Sequence, residues 1–291
     1  MSEVAAQAVE IEDLDDCGRV VPRLRPGRYV SAVLLIALFG FLAMAAARGN
    51  IQWHLVGRYI YAPGVLAGVR NTVLISVLSM LIGLVLGLLG AVMRLSSNVV
   101  ARSAAAAYVW LFRGTPQLVQ LLLWYNLALI FPTIVIPGIG QYDTNHVITP
   151  MAAGLLGLGI NEGAYMTEIF RGGLLGVDPG QTRAARALGM TPVGTFRRIV
   201  LPQALRIAMP GASNQFVILL KGSSLLSIVQ YTELLYSVKI VYDRNYAVVE
   251  LLLVATVWYI AVTGVFVIIQ NLIERRLGRS RRRAPRRGAR T

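Results

Sequence analysis

Apolar residues fall in long runs separated by short polar stretches. Val30–Ala47 holds 18 residues without a charge, and Asn71–Met93 holds 23. A third run begins as Ser103–Phe112, is interrupted by Arg113-Gly114-Thr115-Pro116, and resumes over Gln117–Ile136 with Pro132 near its end. Pro137-Gly138-Ile139-Gly140 marks a turn. Val147–Phe170 is a fourth run containing Glu162 and Glu168; Ile207–Thr232, broken by Lys221, is a fifth; uncharged Leu251–Ile273 is a sixth. Crossing about 30 Å of hydrocarbon at about 1.5 Å per residue takes about 20 residues. The pattern therefore predicts an all-α integral membrane protein with about six transmembrane helices. None of the runs alternates with period two, which argues against a membrane β-barrel.

Composition sharpens this picture. Of the 291 residues, 56% are hydrophobic and 14% charged, against about 25% charged in ordinary soluble domains. The charges cluster at the ends: six of the 14 acids lie in residues 3–16, and nine of the 28 basic residues follow Glu274. Soluble globular and disordered classes are excluded. The net charge of +14 admits a nucleic-acid reading. A basic tail directly after an apolar span is better read as charge retained at the cytoplasmic face and drawn to anionic membrane lipid, with no nucleic acid. Cys17 is the single cysteine, so no intrachain disulfide forms.

Arginine counts orient the spans. With six crossings, one side holds the tail 1–29, loop 94–102, loop 171–206 and the tail 275–291, with four, two, six and nine Arg. The other side holds 48–70, 137–146 and 233–250, with three Arg, none, and one Lys plus one Arg. The positive-inside rule then predicts both termini in the cytoplasm of a multi-pass membrane protein. The run 30–47 reads as a membrane anchor; a signal peptide is the competing reading. Trp53, Tyr59 and Tyr61 suit an interfacial belt or ordinary packing.

The polar segment 171–206 is the most informative. Asp178-Pro179 is a helix start, because Asp caps and Pro fits the first helical position. The spacing predicts a helix over Pro179–Leu188 with Gly189 just past its end. Thr191-Pro192 repeats the start signal, predicting a second helix to about Leu201, before Pro202. Periodicity alone leaves an ordinary amphipathic loop and a docking element equally open.

The stretch Asp178-Pro179-Gly180-Gln181-Thr182-Arg183-Ala184-Ala185-Arg186-Ala187-Leu188-Gly189, followed after nine residues by Ile199-Val200-Leu201-Pro202-Gln203-Ala204, closely resembles the EAA loop of ABC importer permeases. The flanks are similar to the polar amino acid branch of that family: Asn71-Thr72, Arg113-Gly114-Thr115-Pro116-Gln117, Ala164-Tyr165-Met166-Thr167-Glu168-Ile169-Phe170-Arg171-Gly172-Gly173, and Leu220-Lys221-Gly222-Ser223-Ser224-Leu225. The resemblance covers about residues 53–274. It implies a five-helix type I importer core over 65–274, with the span 30–47 as an extra N-terminal helix. It implies that the loop 178–204 couples to an ATPase dimer, through Pro179–Leu201. It further implies an extracytoplasmic solute-binding protein, a second permease subunit and a polar amino acid cargo. No cofactor is implied for this chain; ATP-Mg belongs to the partner ATPase. Two departures stand out. Arg183 replaces the family's usual loop Glu, and Gly222-Ser223 replaces the usual Asp-Thr after the lysine.

Ionisable residues inside apolar runs need a reason. Glu168 and Arg171 are three apart and predict a structural ion pair on one helix face. Glu162 and Arg171 differ by nine steps of about 100°, so they face opposite ways. Glu162 and Lys221 are candidates for a polar cavity that receives a zwitterion; the competing reading is a mutual ion pair that only holds helices together. Gln117, Gln120 and Tyr165 are weaker pathway candidates. No phosphate loop, metal motif or nucleophile elbow occurs, so no catalytic residue is assigned. The alternatives are a stand-alone secondary transporter or an intramembrane enzyme.

Overall fold

The computed structural model describes residues 26–49, 51–136, 138 and 140–278. The acidic start of the chain, Cys17 and most of the arginine-rich end lie outside the described residues. The chain divides into two units, the first ending at Ile51. Among the described residues the first holds one 23-residue helix, α1 (Pro26–Arg48). The predicted run Val30–Ala47 lies inside this helix, and Val33, Ile36 and Phe39 are exposed.

The second unit begins at Gln52. A short α2 (Trp53–Tyr59) leads to α3 (Pro63–Arg94), 32 residues long with Pro63 in its first turn. Pro is suited there because the first amides have no intrahelical acceptor. Next come α4 (Val99–Gly114) and α5 (Gln117–Tyr125), then β1 (Thr133–Ile136) and β2 (Gly140–Asp143). After α6 (Thr144–Val147) runs the long α7 (Pro150–Leu175). The chain continues through α8 (Pro179–Ala187), α9 (Pro192–Thr195), α10 (Leu201–Gly222), α11 (Leu234–Asn245) and α12 (Val248–Gly278). By length and composition, α3 and α12 are apolar enough to cross a bilayer.

The fold is mostly helical, as expected, with one unexpected addition and two expectations that need correction. The addition is an antiparallel hairpin of β1 and β2, with Thr133 opposite Asp143. The resumed run 117–136 is not one helix. It ends at Tyr125, and Pro132 followed by β-branched Thr133-Ile134-Val135 favours strand. The helix after Thr191 does not stop before Pro202. A wide π-type turn at Phe196–Val200 carries α9 directly into α10. Pro202 sits in the first turn of α10, where its missing N–H is tolerated.

Glycines set the central contact. Gly83, Gly87 and Gly90 of α3 lie against Glu162, Met166 and Thr167 of α7, and Gly159 and Gly163 of α7 lie against Ile82 and Leu86 of α3. A methyl at Gly83 would stand 2.7 Å from Glu162 Cγ, and one at Gly87 would overlap Met166. Small residues let two apolar helices approach closely where lipid removes the hydrophobic drive to associate. Around this seam Ile75, Leu121, Leu158, Met166, Leu219 and Leu226 bring α3, α5, α7 and α10 into one core. A second core joins the start of α3 to α11 and α12 through Val65, Leu234, Val238, Leu251 and Val254.

Breaks in the helices are repaired by side chains. Pro116 cannot donate to Phe112 O, four residues earlier. That carbonyl instead accepts from Gln120 Nε2 at 2.9 Å and from Asn161 Nδ2 at 2.8 Å. Two turns into α3, Asn71 Nδ2 donates to Thr232 O at 2.7 Å, and Thr72 Oγ1 accepts from Leu234 N at 3.0 Å, where α11 begins. Glu233 is fully buried and caps α11, accepting from Leu235 N at 2.9 Å and Tyr236 N at 2.7 Å. Burial pushes its carboxyl above the ordinary carboxylate range, against the opposing pull of these donors.

Candidate functional site

The elbow between α7 and α10 is built by local capping. Asp178 Oδ1 accepts from Gly180 N at 2.7 Å and opens α8. At the other end Gly189 N donates to Arg186 O at 3.0 Å and Met190 N to Ala185 O at 3.1 Å. This double closure needs a left-handed residue at the first position past the cap, and Gly189 has φ +76°. Thr191 Oγ1 then accepts from Gly194 N at 3.2 Å and opens α9.

Within α8 only Ala185 is buried. Arg183, Ala184, Arg186 and Ala187 are exposed, and Leu188 and Val193 are 84% and 75% exposed. Ile199 and Leu201 are half-buried where the elbow joins α10, and Pro202 is exposed. A groove of about 580 Å³ is lined by Met190, Thr191, Val193, Gly194, Arg197 and Arg198.

The polar residues of the apolar helices fall into three groups. Glu162 is 2% exposed, wedged between Gly83 of α3 and α10. Gln215 Nε2 lies 3.4 Å from its Oε2, while its Oε1 has no partner. Ser79 Oγ, on α3 one turn from Gly83, is likewise buried without a partner. Lys221 does not pair with Glu162. It lies exposed on a groove of about 550 Å³ with Ser224, Thr256, Tyr259 and Thr263.

In the second group Gln120 and Asn161 are committed to internal bonds. Besides Phe112 O, Gln120 Nε2 donates to Thr115 Oγ1 at 2.7 Å, and its Oε1 accepts from Asn161 Nδ2 at 3.1 Å. Gln117 is half-buried with its Oε1 near Gly222. Tyr165 is half-buried, and the Arg113 guanidinium lies 5.1 Å from its ring centroid. The third group is a charge cluster. Arg171 Nη2 donates to Glu168 Oε2 at 2.7 Å, and Arg94 Nε of α3 lies 3.5 Å from Glu168 Oε1. Gln215, Ser79, Asn161 and Arg94 were not singled out in the sequence. A polar side chain inside an apolar run is the only local signal any of the first three offers.

Residues 83–279 match the family described as binding-protein-dependent transport system inner membrane component. The arginine transport system permease protein ArgU of Corynebacterium glutamicum is 36% identical over 87% of this chain and 81% of its own length. The histidine/lysine/arginine/ornithine transport system permease protein HisQ of Escherichia coli is 33% identical over 75% and 95%. The nopaline transport system permease protein NocM of Agrobacterium fabrum is 37% identical over 70% and 83%. Among solved structures, an amino acid ABC transporter with histidines is 35% identical, with a TM-score of 0.65 over 74% of this chain and 95% of that one. With those relatives matched over most of their own length, the chain belongs to the family of binding-protein-dependent transport system inner membrane components, which are transport permeases and not enzymes.

Proposed function

We propose that this chain is the permease subunit of an ABC importer that moves polar amino acids across the bacterial inner membrane. The observation that carries the reading is the exposed elbow, capped at both ends and continuous with α10, which runs to Gln215 beside Glu162. In this reading α8, α9 and the π turn receive an ATPase dimer, which binds and hydrolyses ATP-Mg. A solute-binding protein delivers cargo on the opposite face, and a second permease, identical or similar, completes the pathway. The core of five crossings and the extra helix α1 make six, with both termini cytoplasmic.

The cargo assignment rests on two unlike charges. Glu162 holds a carboxylate oxygen without a partner, and Lys221 is a cation on a separate groove. Bare charge in an apolar setting is expensive, and a zwitterion offers one partner to each. Glu162, with Gln215 beside it, receives the ammonium or a cationic side chain; Lys221 receives the carboxylate. Gln117 and Tyr165 line the approach, while Gln120 holds the helix break beside it. Relatives named for arginine and for histidine/lysine/arginine/ornithine transport fit an acid in this place. The test is uptake of labelled amino acids into proteoliposomes holding this chain, its ATPase and its binding protein. Uptake is expected only with ATP at the ATPase side and with the binding protein present. Uptake that persists without the ATPase overturns the proposal. Glu162→Gln and Lys221→Gln are expected to change selectivity; unchanged uptake and selectivity in both removes the cargo site.

A further inference from the structure

The elbow presents an unusual combination. Arg183, Arg186, Arg197 and Arg198 are all exposed, and among the described residues none of them forms an ion pair. The one acid between residues 178 and 206 is Asp178, whose Oδ1 already accepts from Gly180 N. Four unpaired guanidinium groups thus flank Leu188 and Val193 along the chain, two on each side, and those two large apolar side chains are themselves exposed at the corner. Arginine around a few apolar anchors is the composition of a protein-binding surface.

We propose that the elbow selects its motor subunit by charge. The ATPase it fits presents carboxylates opposite Arg183, Arg186, Arg197 and Arg198, around a small apolar socket that takes Leu188 and Val193. This rests on the importer reading and adds the chemistry of the partner's face. Arginine forms bidentate, geometrically fixed pairs with carboxylates, so four of them specify both partner and orientation. An anionic lipid surface is the other acidic candidate. Helices that lie in a membrane surface carry a broad apolar face with Trp, Phe or Leu. The helix α8 reads Pro-Gly-Gln-Thr-Arg-Ala-Ala-Arg-Ala and has no apolar side chain larger than Ala apart from its proline. The charge selection also separates this elbow from one with an acid at position 183, which the same carboxylate face repels.

The full-length chain is placed in phosphatidylcholine nanodiscs, and the probe is the ABC ATPase subunit that restores its ATP-driven uptake. Arg183→Glu with Arg186→Glu is expected to weaken binding about tenfold or more, as is raising salt from about 50 to about 500 mM. Both side chains are exposed, so the fold is not at stake, and Arg197→Ala with Arg198→Ala gives a second, milder loss. Arg102→Glu, an exposed charge reversal on α4, is expected to bind like wild type. Replacing carboxylates on the ATPase face with Arg restores binding to the reversed elbow. Equal binding by wild type and the double reversal overturns the inference and leaves the importer reading intact. Binding that follows added phosphatidylglycerol and ignores the arginines also overturns it, in favour of lipid. If the wild-type chain binds no ATPase while the binding protein alone sustains uptake, the importer reading itself falls.

Discussion

Tyr259 of α12 donates its hydroxyl hydrogen to the buried carboxylate of Glu233 across 2.7 Å. Glu233 also caps α11 and lies 3.5 Å from Thr72 Oγ1 of α3, so three helices meet on one side chain. Tyr259→Phe removes a donor without changing shape. The expected loss is about 0.5–3 kcal/mol of stability, the net worth of one hydrogen bond to a buried carboxyl that keeps Leu235 N and Tyr236 N as donors. Thermal unfolding of the purified chain in detergent measures it. Lys239→Ala breaks the exposed Lys239–Asp243 pair of 2.6 Å and is expected to change little, because exposed pairs contribute little.

The glycine seam makes a sharp comparison. Gly87→Ala places a methyl into Met166, including its backbone carbonyl carbon at 2.9 Å. Backbone cannot yield as a side-chain tip does, so a loss of about 1–3 kcal/mol is expected. Gly172→Ala, on α7 with nothing within 4 Å, is expected to be neutral or to stabilise by up to about 1 kcal/mol through helix propensity. The same melting measurement ranks both against wild type.

Gly189→Ala tests the corner. At φ +76° an L side chain costs about 1–2 kcal/mol, and relief would reorient α8 relative to α9. Uptake coupled to ATP hydrolysis is expected to fall while the chain still inserts in the membrane. Reconstituted uptake measured beside ATP turnover reads this directly. Unchanged uptake would show that the corner tolerates another geometry.

The repaired break at Pro116 predicts coupling between two side chains. Gln120→Leu and Asn161→Leu each withdraw a donor from Phe112 O, and each is expected to cost about 1–3 kcal/mol. Because they share one carbonyl and bond to each other, the double variant is expected to be non-additive by about 0.5–3 kcal/mol. A double-mutant cycle on melting data measures the term.

The elbow was legible in the sequence because its signals are local. Asp178-Pro179, Gly189 and Thr191-Pro192 each act within a few residues, and the structure uses each at its expected place. The hairpin was hidden because the run 117–136 carries no charge, and a strand within it resembles more helix. Pro202 misled for the opposite reason. It reads as a stop, yet the π turn before it accommodates a residue without an N–H. Contacts such as Asn71 with Thr232 and Glu162 with Gln215 join residues 161 and 53 apart. No periodicity within one segment reports such pairings; they appear only when the helices are assembled.

The uninterrupted run from Pro192 through the π turn into α10 has a mechanical reading. From Thr195 to Gln215 is about 30 Å of helix at about 1.5 Å per residue. Pro210 removes one intrahelical hydrogen bond along that stretch, so it is jointed, and tilting it as one body by about 10° sweeps its far end through at most about 5 Å. That displacement matches the width of a small side chain, so a modest rotation at the corner is enough to draw Gln215 off Glu162 or return it. Meanwhile the glycine-locked pair α3 and α7 has no slack to follow, and serves as the frame against which that swing is measured.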